Sequence, residues 1–451
     1  MFRNKIAIKI SALLLALILC LSLTSCFPFN WNGSGYNDIG KLPTLDDSSD
    51  ETEDCAFPEL DLIHALFEQL SVYDLDREAL MTAVLKAYAE ATGDLYAAYY
   101  TPEELEVLTS ENQGEMEGIG VSVVNDQIEY NGFFYSVLTI ISVFKDSPAL
   151  EAGLRIGDCV YAIVDEQGET HTVQELGYDN AISQIRGVAG SKASFVVLRA
   201  VAGGGYETVS FEIERKKITT ESVTGRIYEA DPTIGIVKIA QFDLTTPPQF
   251  SRVMDDLIAN GCTKFIFDVR YNPGGDLKSI EAVLSTFLEV GNPMISTVYK
   301  DGTGETDKVK VVTNLTGAYE TCNVKKSDIG KYKDYNFAVL TNEYTASAAE
   351  LFTSNLRDYD LATLVGVTTY GKGCMQSMYD LSYFGMEGAL KLTTAWYLPP
   401  SGENYHDIGI VPDIEVVMDE ALIEQYGNIY LIPDDADPQL MAAVNALNSL
   451  K

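Results

Sequence analysis

Between Phe57 and Leu108 apolar residues recur at helical spacing. Ile63, Leu66, Phe67 and Leu70 fall at i, i+3, i+4 and i+7, and Leu80, Val84 and Tyr88 repeat the pattern. A third helix is predicted to open at Thr101-Pro102-Glu103-Glu104, where Thr101 caps, Pro102 suits the first helical position and Glu104 completes a capping box. From Glu117 the period shortens to strands and Gly-rich turns. Gly118-Ile119-Gly120-Val121 opens a strand, residues 137–144 form another, residues 146–154 make a one-turn helix closed by Gly153, and residues 156–163 return to strand. A helix follows over about 173–185. From about Gly204 strands alternate with helices: strand 233–240, helix 248–260, strand 264–268, a helix after Gly275, strand 336–341 and helix 347–358. Alternation of that kind predicts an α/β core around a largely parallel sheet.

The first 55 residues follow a different pattern. Arg3, Lys5 and Lys9 precede an apolar run over 10–23, the basic and greasy regions of an export signal, too short for the about 20 residues of a membrane span. Leu23-Thr24-Ser25-Cys26 resembles a bacterial lipobox, which implies cleavage before Cys26 and lipidation of its thiol; an ordinary cleaved signal is the alternative. Residues 46–54 carry six acidic side chains in nine, too charged to pack, and read as a flexible tether.

Composition narrows the chemistry. The 451 residues hold 31 Lys and Arg against 66 Asp and Glu, a formal charge of −35, which disfavours nucleic acid as a partner. Three histidines, His64, His171 and His406, without a paired spacing argue against a His-rich metal site, so no metal and no cofactor is expected. Seven cysteines without any Cys-x-x-Cys fit neither a zinc knuckle nor a dense disulfide framework.

Three segments carry candidate chemistry. Ser347 sits where strand 336–341 runs into a helix, and the helix start favours negative charge developing on its hydroxyl or on a neighbouring oxyanion, although Ser is also a common N-cap. Twenty-five residues on, Lys372 lies between Gly371 and Gly373 beside an apolar strand; burial there would favour the neutral amine, a general base toward a Ser hydroxyl, with Gln376 able to orient it. A surface loop is the plain alternative for Lys372. The apolar strand 265–268 ends in Pro273-Gly274-Gly275, a turn that exposes backbone N–H groups.

The segment from Gly118 to Ile163 closely resembles a PDZ domain, whose Gly-Φ-Gly loop, here Gly118, Ile119, Gly120 and Val121, presents N–H groups to a peptide's terminal carboxylate; a generic all-β module with Gly turns is the alternative. The hairpin region 125–136 is longer than that fold requires. The three chemical segments together resemble the C-terminal processing peptidases, also called tail-specific proteases. The family's Asp-Leu-Arg-x-Asn-Pro-Gly-Gly turn matches Asp268 to Gly275, its Ser-Ala-Ser-Ala-Ser-Glu box matches Thr345 to Glu350, and its Gly-Lys-Gly-x-x-Gln box matches Gly371 to Gln376.

That resemblance implies an α/β fold of ClpP/crotonase type with an embedded PDZ domain and an N-terminal helical domain. It divides the chain into a signal (1–25), a tether (26–55), a helical domain (56–112), a PDZ domain (113–203) and a peptidase core (204–451). It implies a serine endopeptidase on the outer face of a bacterial membrane, acting on proteins with unstructured C-termini. Ser347 would be nucleophile, Lys372 general base and Gln376 its positioner. N–H groups of Ala348 and of Gly274 or Gly275 would hold the oxyanion, and Arg186 would couple peptide binding to the active site. Asp358 reads as a structural partner of Arg357 or of backbone, His406 as a solvated loop residue, and Cys374 not as a nucleophile but as a thiol that could make activity sensitive to oxidation. A non-catalytic PDZ scaffold lipoprotein is the alternative function, and homo-oligomerisation stays open.

Overall fold

The computed structural model describes residues 57–165, 167–201, 204–426 and 429–449. The export signal, Cys26 and the acidic tether lie outside the described residues. No described helix is long and apolar enough to cross a membrane.

The chain divides into two compact units. One takes the described residues up to Thr109 with Tyr299–Thr303 and Cys374–Trp396; the other takes Ser110–Val298, Gly304–Gly373 and the remainder from Tyr397. The sheet module and the α/β segment both fall in the second unit.

In the first unit Asp76 caps helix Arg77–Ala91 by accepting from Ala79 N–H, and the expected capping box closes with Thr101 N–H on Glu104 Oε2 at 3.0 Å and Glu104 N–H on Thr101 Oγ1 at 3.3 Å. Strand Ala98–Tyr100 pairs antiparallel with Ala389–Leu398, which also pairs with Cys374–Asp380. The apolar stripe read from the sequence is not a core here. Leu66, Phe67 and Leu70 of helix Pro58–Leu70 and Leu80 and Tyr88 of the next helix are all exposed.

The second unit contains an antiparallel sheet ordered Val121–Tyr130, Phe133–Val143, Cys159–Val164, Lys192–Ala200, Tyr206–Glu214. Its inward positions Leu138, Ile140, Val160, Phe195 and Val197 form one cluster with Ala181 and Ile185 of helix Tyr178–Ile185. The single helix expected over 173–185 is two, Val173–Leu176 and Tyr178–Ile185, because Gly177 turns to φ 80° between them. The long hairpin is regular: Asn131 and Gly132, both at positive φ, make the tight turn that matches strand twist.

A second sheet runs Val223–Ile227, Ile234–Ile239, Lys264–Asp268, Asn336–Thr341, Ala362–Gly366, Ile414–Glu415; only the first pair is antiparallel. Its central strands are largely apolar because both faces are covered. Phe267 meets Phe287 and Phe352 at 5.6 and 5.3 Å between ring centres. Ile266, Ala338 and Leu340 point the other way, onto Leu440, Ala443 and Leu447 of helix Pro438–Ser449.

Candidate active site

Strands Lys264–Asp268, Asn336–Thr341 and Ala362–Gly366 are parallel neighbours, so the loops leaving their carboxyl ends emerge side by side. Those loops carry the Pro-Gly-Gly turn, Ser347 and Lys372, with 72 residues from Gly275 to Ser347 and 25 from Ser347 to Lys372. In open parallel sheets this edge is where ligands bind.

Ser347 is fully buried and adopts φ 55°, ψ −120°, a conformation costing about 1–3 kcal/mol for a residue with a Cβ. The surroundings over-determine it. Ala346 N–H donates to Asn272 O at 2.9 Å, Ser347 N–H to Glu350 Oε2 at 2.9 Å, and Ser347 O accepts from Glu350 N–H at 2.8 Å and Leu351 N–H at 3.0 Å. A strained residue held this firmly at a strand-to-helix turn is how a nucleophile is presented.

The Pro-Gly-Gly turn packs against it. A Cβ on Gly274 would stand 2.7 Å from Ser347 Cβ and 2.8 Å from Ala348 N, so only glycine leaves that space open. Gly274 N–H donates to Asn272 Oδ1 at 2.8 Å, whereas neither Gly275 N–H nor Ala348 N–H has an acceptor among the described residues. Sequence leaves both glycines as oxyanion donors; here Gly274 is engaged and Gly275 is not. Gly275 itself must lack a Cβ, which would fall 1.9 Å from Phe242 O.

Lys372 is 1% exposed, which removes the surface-loop alternative. What holds its loop is Glu350, a residue inside the nucleophile box to which no role fell on sequence grounds. Glu350 Oε1 accepts from Thr369 Oγ1 at 2.6 Å and Gly371 N–H at 2.7 Å; Oε2 accepts from Ser347 N–H at 2.9 Å and Lys372 N–H at 2.7 Å. One buried carboxylate thus ties the backbones of Ser347 and Lys372 together. Burial pushes its pKa up from 4.5 to about 7, outweighing the four donors, which pull it down.

Residues 233–416, most of the α/β segment, match the model of Peptidase family S41. Over those residues the chain is similar to the S41 peptidases. The chain is a serine-type peptidase, and the match lies in its α/β segment. The carboxy-terminal processing protease CtpB of Bacillus subtilis is 28% identical over 369 residues, covering 82% of this chain and 69% of that one. CtpA of the same organism is 27% identical over 376 residues (83% and 72%), and a carboxyl-terminal-processing protease of Synechocystis is 29% identical over 375 (82% and 78%). The crystal structure of a putative S41 protease from Bacteroides fragilis aligns with a TM-score of 0.53 at 17% identity, covering 74% of this chain and 84% of that one, a likeness of fold.

Other residues of this chain fall as follows. Gln376 lies on strand Cys374–Asp380 in the first unit, where its amide donates to Cys374 Sγ at 3.2 Å and Thr393 Oγ1 at 3.3 Å. Cys374 is a buried thiol. Asp358 accepts from Arg357 and from Ser401 N–H at 2.9 Å. His406 is not the solvated residue expected: its Nδ1 accepts from Gly373 N–H at 3.2 Å, bracing the lysine loop from the other side. A cavity of about 270 Å³ is lined by Gly118, Ile119, Gly120 and Val121 together with Ile182 and Arg186. The N–H groups of Ile119 and Gly120 meet no acceptor among the described residues, and Arg186 pairs with Glu111 at 2.9 Å. Among the described residues the ligand atoms of Asp165, Glu169 and His171 come within 4.8 Å of one another, on a hairpin turn remote in sequence from the loops that carry Gly274, Ser347 and Lys372.

Proposed function

We propose that the protein is a lipid-anchored serine endopeptidase that binds unstructured C-terminal tails in the Gly118–Val121 groove of a PDZ domain and cleaves peptide bonds with a Ser347–Lys372 dyad. The observation that carries this reading is the Glu350 carboxylate, which bonds the backbone of both residues and so fixes one against the other. Ser347 Oγ attacks the scissile carbonyl carbon while Lys372 accepts its proton. The oxygen, now anionic, is held by Ala348 and Gly275 N–H, and the C–N bond breaks as Lys372 returns the proton to the leaving amine. Water then attacks the acyl-serine with Lys372 again as base. Arg186, released from Glu111, couples groove occupancy to the site.

Anchoring through Cys26 on the extracytoplasmic face of a bacterial membrane is supported by the lipobox and the acidic tether behind it. The exposed apolar helices Pro58–Leu70 and Arg77–Ala91 support a homo-oligomer that covers them. Incubation of the purified protein with a disordered, tail-bearing substrate at slightly alkaline pH, with mass spectrometry of the products, tests the reading. Ser347→Ala and Lys372→Ala should each abolish cleavage with unfolding temperature intact; cleavage by either variant sinks the dyad.

A further inference from the structure

Two tyrosines lie on the segments that carry Gly274 and Ser347 without a part in the steps above. Tyr271 occupies the x of the Asp-x-Arg-x-Asn-Pro-Gly-Gly turn that lies between Arg270 and Asn272, three residues before Gly274, and Tyr344 lies three residues before Ser347. Their rings stack 5.1 Å apart at 12°, and both are part-exposed. Asn342 Oδ1 accepts from Tyr271 N–H at 2.9 Å and from Tyr344 N–H at 3.2 Å, so one amide holds both backbones. Tyr271 adopts φ 61°, a left-handed conformation in which glycine or asparagine would be less strained. A bulky aromatic kept at such a position indicates that the ring is used. Beside it lies a cavity of about 400 Å³ whose apolar wall includes Ile141, Ile236, Ile432 and Leu440, large enough for any single side chain. On its charged wall, which also includes Lys238, Arg270 is bonded to Asp268 and Asp437 and Arg226 to Asp434.

We infer that Tyr271 and Tyr344 form the wall of a substrate subsite that takes a large apolar or aromatic side chain next to the scissile bond. Backbone donors around Ser347 hold any peptide alike and carry no side-chain information. The stacked pair supplies the discrimination, through a third ring or a branched aliphatic group packing on its open face and into the cavity. The inference rests on the peptidase reading above.

The full chain is assayed with internally quenched peptides that share one C-terminal tail and carry either Phe or Ala at each position flanking the mapped cut. The wild type should prefer Phe over Ala at one such position by about tenfold or more in kcat/KM. That Phe-to-Ala ratio should collapse about tenfold in Tyr344→Ala and in Tyr271→Gly, the latter relieving backbone strain as it removes the ring, and should survive in Tyr344→Phe. A ratio unchanged in both truncations, with rates for both peptides falling in step, would show that the pair only props up the loops and would overturn the inference. So would a wild type without preference. A wild type that cuts no peptide at all overturns the peptidase reading and the subsite with it.

Discussion

Glu350→Gln in a Ser347→Ala background, which prevents self-cleavage, isolates the carboxylate that joins the Ser347 and Lys372 loops. A carboxyl raised from 4.5 to about 7 on folding holds its proton more tightly in the native state, so wild-type stability is lost as pH climbs between those values. At about 1.4 kcal/mol per pH unit, the contribution changes by about 2–3 kcal/mol between about pH 5 and pH 8. The amide of the substituted side chain does not titrate. Denaturant unfolding of both proteins at the two pH values should therefore show the Glu350 form losing about 2–3 kcal/mol relative to the Glu350→Gln form on going to the higher pH. Asp276, also raised to about 7 by burial, is common to both proteins and cancels. The active counterpart, Glu350→Gln with Ser347 present, should lose activity for a different reason. An amide group in place of either oxygen leaves at least one of the buried Ser347, Gly371 or Lys372 N–H groups facing another donor, and a shift of about 1 Å in a reacting group costs on the order of 10²-fold in kcat. An equal stability difference at both pH values would show that Glu350 is not titrating in this range; an undiminished kcat would show that it does not position the dyad.

Other consequences can be measured directly. Gly274→Ala places a methyl 2.7 Å from Ser347 Cβ and 2.8 Å from Ala348 N, so kcat should fall by about 10² or more in a peptide-cleavage assay with the secondary structure retained by circular dichroism. Ser347→Gly should be about 1–2 kcal/mol more stable than Ser347→Ala in denaturant unfolding, because only glycine is at ease at φ 55°; equal stabilities would mean the strain is absent. Arg270→Ala leaves the part-buried Asp268 and the buried Asp437 without their shared cation, an expected loss of about 3–5 kcal/mol in denaturant unfolding, and a loss below about 1 kcal/mol would refute the pairing.

Much of this molecule follows from local sequence rules. Helices and strands of the α/β segment obey their hydrophobic periods, the capping box at Thr101 closes as spelled, and the three chemical segments stand out because Gly, Pro and Ser interrupt apolar runs at set spacings. Periodicity is less informative in the N-terminal helices: the stripe through Leu66, Phe67 and Leu70 identifies a helix but not what covers it, and it stays exposed. Spacing along the chain is likewise silent on strand order. That the Pro-Gly-Gly turn, Ser347 and Lys372 leave one edge of the sheet depends on three parallel strands lying side by side, a consequence of non-local pairing. Glu350 could be read as a helix-capping residue from its place in the box; that its carboxylate also serves Thr369 and Gly371 appears only once the lysine loop is folded against it. The choice between Gly274 and Gly275 is of the same kind, made by where the side chain of Asn272 points. Sequence determined which residues are capable of the chemistry, because that capacity is a property of single side chains and short turns. The tertiary structure decided their positions, strain and hydrogen-bond partners, because those arise from contacts between segments far apart in the chain.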